Sequence, residues 1–253
     1  MKTQAIQFGK TATARTKSIG PSHGSITATA LAAIGYSTVW VVGLAIWPSN
    51  LDVRASNAKV LVTYSAHQGA ALAQYLLIEG VAAIALAVVV TILGQAARRH
   101  GVGRLGAVAV VAGLTAAALS LIQCALGLLL AGFVARDGEI ARAGLLFDLI
   151  NRMDGVKMLA LSAMALAGVG LARRAVLPRW LGYAAAFLTV ALVASGAGYL
   201  LVNTTLAAAV FVSGPLLLVW VTGTGVALAR PSRSGNATAC RRSRLDQPLA
   251  KAS

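Results

Sequence analysis

The sequence predicts an all-α membrane protein with six transmembrane helices. Three observations carry that expectation. Of the 253 residues, 58% are hydrophobic and 11% charged, whereas soluble domains carry roughly 25% charge. The apolar residues gather into six runs, and a helix needs about twenty such residues to cross ~30 Å of hydrocarbon. The basic residues stand in short clusters between the runs. A formal net charge of +15 would suggest nucleic acid in a soluble protein. Here it reads as a set of topology signals, and no basic helix with interleaved aromatics is present to bind nucleic acid.

Residues 1–25 are polar and basic, with Lys2, Lys10, Arg15 and Lys17, and are expected to form a disordered tail. The transmembrane domain is expected to cover residues 26–229. Its first run, Ile26 to Trp47, is too long for a signal-peptide core and has no small-residue cleavage pattern after it. It predicts an uncleaved first helix, with Trp40 and Trp47 as interfacial anchors and Pro48 as its stop. A polar loop with Asp52, Arg54 and Lys59 leads to span two, about Gly69 to Leu93. After a basic connector, span three covers Leu105 to Val134. The charged stretch Arg136 to Asp154 predicts a partly helical, amphipathic segment. Span four is expected at Val156 to Ala172 and span five at Trp180 to Val202. A tight turn at Asn203-Thr204-Thr205 precedes span six, Leu206 to Ala229, in which Pro215 predicts a kink. Residues 230–253 read as a disordered basic tail.

Six spans place both termini on one side. Sixteen of the 22 Lys and Arg residues then fall on that side and six on the other. The bias predicts cytoplasmic termini.

A shift of 75 residues brings Glu79-Gly80-Val81 onto Asp154-Gly155-Val156 and Ala97-Arg98-Arg99 onto Ala172-Arg173-Arg174. After one inserted residue, Leu105-Gly106 falls on Leu181-Gly182. The match predicts a parallel repeat of helices 2–3 and 4–5, of the kind that places sites in transporters. It also predicts depth. Glu79 precedes Arg98 by nineteen residues, as Asp154 precedes Arg173. That is ~28 Å of helix, which puts both acids near the outer surface.

A carboxylate in an apolar run is costly, ~2.5–3.5 kcal/mol at the centre of a span on insertion scales. Glu79 is therefore the first candidate residue. Gln68, Leu72, Tyr75 and Glu79 fall on one helical face, either as a polar stripe on a cavity or as an interfacial aromatic and acid. A second cluster holds Asp148, Asn151, Arg152, Asp154 and Lys157. Asp148 and Arg152 are spaced to pair at i, i+4, and Asp154 and Lys157 at i, i+3. The cluster reads either as a polar outer vestibule shared with Glu79 or as a solvated helix with weak surface pairs. Span three carries a small-residue seam, Gly113, Ala117, Ser120, Cys124, Gly127 and Ala131, suited to close helix packing. Beside it, Gln123 is expected to hydrogen-bond across helices or to line a pathway. A similar seam is expected at Gly182, Ala186, Thr189, Val193 and Gly196.

No HExxH, Walker A, GxGxxG or GxSxG pattern occurs, and the histidines, His23, His67 and His100, lie outside the spans. The sequence therefore predicts no enzyme, no cofactor and no metal. Its two cysteines, Cys124 and Cys240, make no disulfide framework. The residues leave two functional readings open. One is a non-enzymatic protein that works by helix packing or by binding a partner, a second copy or another membrane protein. The other is a small-molecule transporter or channel with an outer acidic vestibule.

Leu177-Pro-Arg-Trp-Leu-Gly182, Gly198-Tyr199-Leu200 and Leu217-Leu-Val-Trp220 resemble bacterial six-helix membrane proteins grouped as a domain of unknown function. The resemblance covers mainly the last third. It implies the six-helix layout and a bacterial cytoplasmic membrane, and it implies no activity and no binding residues.

Overall fold

The computed structural model describes residues 23–47 and 51–230. Pro48, Cys240 and nearly all of both tails lie outside the described residues. The described chain forms α1 (His23–Ile46), α2 (Asn57–Ala66), α3 (Gln68–Arg99), α4 (Gly103–Asp137), α5 (Ile140–Arg173), α6 (Arg179–Leu200), α7 (Thr204–Ala207) and α8 (Val210–Ala229). Five of these, and α7 taken with α8, are long and apolar enough to cross a membrane, which makes six candidate spans.

The outside of the bundle carries many large apolar side chains. Phe187, Val190, Phe211 and Val111 are largely exposed. A water-soluble surface does not carry an apolar skin of this extent, and lipid chains would cover it.

Two boundaries differ from those expected. The stretch Arg136 to Asp154 and span four are not separate, because α5 is one 34-residue helix. Charge at Asp148, Arg152, Asp154 and Lys157 suggests an edge by hydropathy, yet all four are compatible with helix and the backbone ladder runs through them. The polar loop after α1 contains a ten-residue helix, α2, capped by the Ser56 hydroxyl accepting from the Lys59 N–H. At 1.5 Å per residue α3 and α5 are each ~50 Å long, well beyond the hydrocarbon, and α2 packs beside their extra turns.

One end of the bundle is basic. Gly225 of α8 meets Thr29 and Ala33 of α1, and Gly223 meets Trp180 and Leu181 at the start of α6. Arg98, Arg99, Arg104, Arg173, Arg174, Arg179 and Arg230 therefore gather at the end where the described chain begins and finishes. The core has two storeys. The larger one holds Val89, Val90, Leu93, Met164, Leu171, Leu188, Leu192 and Trp220. The smaller one, at the far end, holds Trp47, Val60, Tyr64, Leu130, Phe147 and Ile150.

The hairpins α3–α4 and α5–α6 close alike at the basic end. In the first, the Val102 N–H donates to the Ala97 carbonyl and the Gly101 N–H to that of Arg98. In the second, Val176 donates to Leu171 and Ala175 to Ala172. Each turn needs one left-handed residue, Gly101 (φ 74°) or Ala175 (φ 57°). Just beyond each turn the helices touch at a glycine. A Cβ on Gly106 would lie 2.6 Å from that of Ala97, and one on Gly182 2.7 Å from that of Ala172.

The seam on α4 is buried throughout. On α6 the expected seam is corrected: Gly182 and Gly196 are buried, but Ala186 and Val193 face outward. The buried stripe runs through Leu181, Ala185, Leu188, Leu192 and Ser195 instead. Against the sixth span, α1 is tied by the Ser37 and Thr222 hydroxyls, 2.6 Å apart. Pro215 stands inside α8 and the helix continues past it.

Candidate functional site: a buried ion triad between the hairpins

The site begins with a widening of α3. From Tyr75 to Val81 the backbone forms a π-helical turn, and the Ala82 N–H reaches back five residues to the Leu77 carbonyl. An extra residue in a turn rotates the remainder of the helix by about 100°. Such widened turns recur at functional sites, and this one contains Glu79. A second lies in α4, Leu130–Val134, where the Ala135 N–H donates to the Leu130 carbonyl.

Glu79 meets Lys157 of α5, 78 residues later. The Lys157 ammonium donates to both Glu79 oxygens at 2.9 Å. It also pairs with Asp154 Oδ1 at 2.7 Å, one turn earlier on its own helix. The expected i, i+3 pair of Asp154 and Lys157 is thus present, and Glu79 completes it as a triad. Side-chain exposure is 5% for Lys157, 12% for Glu79 and 22% for Asp154. An isolated charge at such burial is unfavourable by several kcal/mol, and close, well-aligned partners offset that. The two acids that the repeat matches grip the same amine.

The remaining candidates fall into three places. Gln68, Leu72 and Tyr75 pack along α4. The Gln68 side chain donates to the Gly132 carbonyl at 3.2 Å, Leu72 lies over Gly132, and the Tyr75 ring fills the space a side chain at Gly127 would take. The Tyr75 and Tyr64 hydroxyls are 2.8 Å apart. Tyr64 in turn meets Trp47 edge-on, with ring centroids 5.1 Å apart, so α2 is joined to α1 and α3 by aromatics. Burial pushes the Tyr64 phenol up to about 12. Gln123, fully buried, donates to the Ile150 carbonyl at 3.0 Å and ties α4 to α5.

Asp148 and Arg152 lie apart from the triad. They line a polar cleft at the far end with Arg54, Asn57, Asn151 and Tyr199, and it encloses about 210 Å³. The expected Asp148–Arg152 pair is not formed; among the described residues the remaining ion pairs are Arg136–Asp137 and Arg142–Glu139, both exposed. The solvated side chains point into the cleft instead, where water outcompetes a weak pair. Arg54 fixes the cleft wall, its Nε donating to the Val202 carbonyl at 2.8 Å.

Ser213 and Tyr36 are participants that sequence reasoning missed. With Ser120 and Lys157 they line a cavity of about 30 Å³ next to the triad, between α1, α3, α4, α5, α6 and α8. The one local sign is a serine two residues before Pro215, a polar residue inside an apolar run.

Among the described residues no group of three or more His, Cys, Asp or Glu side chains is placed to hold a metal. The fold and this charged interior support the class of multi-pass, all-helical membrane proteins. No family model, curated protein or solved structure matches the chain, and the resemblance in the last third stays a resemblance.

Proposed function

We propose that this chain is a non-enzymatic multi-pass protein of a bacterial cytoplasmic membrane. Its helices pack around a charged lock and present their lipid-facing surface to a membrane partner, a second copy or another protein. One observation carries this reading: the triad is closed on itself. Lys157 is held by two acids from two hairpins, and the cavity beside it, about 30 Å³, has room for one or two waters and for no organic solute. The basic end is the cytoplasmic one by the positive-inside rule, so the triad, ~28 Å of helix away, sits toward the outer surface. The shared Ala·Gly contact and turn closure support a true duplication of the hairpin.

The far-end cleft favours a second reading, a transporter or channel. Its charged and amide side chains suit a small polar solute. Single cysteines at 79, 148 and 152, in a chain with Cys124→Ser and Cys240→Ser, separate the two. With a membrane-impermeant thiol reagent added from outside, the packing reading expects labelling at 148 and 152 and none at 79. Labelling at 79 as well would mean an open pathway and favour transport.

A further inference from the structure

The far-end cleft holds charges that stay unpaired. It is walled by the loop before α2, the first half of α5 and the end of α6. Of its lining residues, Arg54 and Arg152 are cationic and Asp148 is anionic, which leaves one positive charge in excess. All three residues are exposed, and none of them forms an ion pair among the described residues. The Arg54 guanidinium gives its Nε–H to the Val202 carbonyl and keeps its remaining N–H donors free. The Arg152 guanidinium keeps all of its own.

Two further observations point into the same place. Asn151 lines the cleft, and its Nδ2 is buried without a hydrogen-bond partner, so an amide donor is left to be matched by an acceptor. Val202, on the wall that Arg54 holds, has φ 51°. A β-branched residue in the left-handed region is strained, and strain of this kind gathers at binding sites whose surroundings over-determine the backbone. Donors in the cleft outnumber acceptors. The group that answers them is an oxyanion, which guanidinium groups grip through paired N–H bonds. Asp148 supplies the opposite pole. It precedes Arg152 by four residues on α5, ~6 Å along the axis, an interval that suits a ligand whose own two charges are a few bonds apart. At about 210 Å³ the cleft is smaller than the ~300–1,000 Å³ of pockets for drug-sized molecules, so the ligand is small.

We propose that the cleft binds a small zwitterion, its oxyanion held by Arg54, Arg152 and the Asn151 amide and its ammonium by Asp148. That chemistry is shared by a free amino acid and by the phosphoethanolamine headgroup of a lipid. The cleft lies beside the end of α6, where a span meets the headgroup layer, so both reach it. The proposal deepens the second reading by naming the class of solute. It rests on that reading for the cleft alone and not for passage across the membrane.

Isothermal titration calorimetry of the full chain in phosphatidylglycerol nanodiscs tests it, with L-alanine and phosphoethanolamine as probes. Saturable binding of at least one probe is expected, and this needs no variant to fold; binding of neither overturns the proposal. Acetate, inorganic phosphate and methylammonium carry one pole each and should bind at least about tenfold more weakly, since each leaves half of the site unanswered. An anion that binds as tightly as the zwitterion overturns the proposal too. Asp148→Asn and Arg152→Gln should each weaken the zwitterion about tenfold or more, and Asp148→Asn should leave acetate and phosphate no weaker. Both residues are exposed and unpaired, so the bundle does not rest on them. Unchanged affinity in both variants would put the ligand elsewhere and overturn the assignment. Nanodiscs of phosphatidylethanolamine separate the two sources. A tenfold loss of probe affinity there shows a lipid headgroup in the cleft, unchanged affinity shows a dissolved zwitterion, and either supports the shared chemistry. Uptake of the bound probe into proteoliposomes is measured separately: binding without uptake keeps the site and removes the transport reading.

Discussion

The two hairpins are alike at one end and unlike at the other. At the basic end α3–α4 and α5–α6 share a turn closure, a left-handed residue and an alanine pressed on a glycine. Toward the far end, α3 widens into a π-helical turn at Tyr75–Val81 while α5 runs on as regular helix. The chemistry lies where they differ. The first hairpin brings one acid, Glu79; the second brings an acid and a base, Asp154 and Lys157. Packing that both copies need is the same in both, and the residues that join the copies are divided between them.

The largest expected effect comes from removing the shared partner. Lys157→Met leaves two largely buried carboxylates without the ammonium that joins them. Breaking a buried pair is typically destabilising by about 3–5 kcal/mol, read as a loss of unfolding free energy in detergent at pH 8. The loss should be smaller in Lys157→Arg, which keeps a cation beside both acids. A loss of the same size in both variants would show that the site depends on lysine packing rather than charge.

Next is the matched helix contact. Gly106→Val and Gly182→Val should each destabilise by about 1–3 kcal/mol, the usual range for overpacking, because even a Cβ has no room at either position. Similar losses in both sharpen the likeness of the hairpins. Tolerance of one and not the other breaks it.

A smaller effect is expected at the turns. Ala175 takes a left-handed conformation (φ 57°) that Gly101 (φ 74°) takes without strain. Ala175→Gly should therefore gain up to about 1 kcal/mol, the ~1–2 kcal/mol strain of a left-handed residue less the entropy of a glycine. Gly101→Ala should lose about as much. Thermal denaturation of both variants checks the pair.

The smallest effect is absent at neutral pH. Burial raises the Tyr64 phenol from 10.0 to about 12 in the folded chain. A raised folded value means that the stabilisation is fully present below pH ~10 and is lost as pH rises toward 12. Unfolding free energy should fall across that window in the wild type. Tyr64→Phe should flatten this part of the curve.

Much of the fold is legible in the sequence because lipid imposes a coarse rule. A span must be long and apolar, so six runs read directly as six helices. The helix α2 is not legible, since ten residues containing Lys59 read by hydropathy as loop, and its identity rests on a serine cap and on burial of Val60 and Tyr64. The single α5 reads as two elements because charge resembles an edge, whereas Lys157 lies in the bundle with its charges answered. Of the site, Asp154–Lys157 is visible from spacing. Glu79–Lys157 is not, since no local pattern spans 78 residues; the repeat only sets the two acids side by side. Ser213 matters through a cavity formed by six helices, and no one stretch of sequence encodes that.

The central claim is that Glu79 and Lys157 hold the two hairpins together through a direct charged contact. A double-mutant cycle with Glu79→Gln, Lys157→Gln and the double variant, read as unfolding free energies at pH 8, measures it most directly. Groups in direct contact show coupling of about 0.5–3 kcal/mol, and independent sites add within about 0.3–0.5 kcal/mol. Coupling above about 1 kcal/mol is the predicted result. Simple additivity of the two substitutions would contradict the claim.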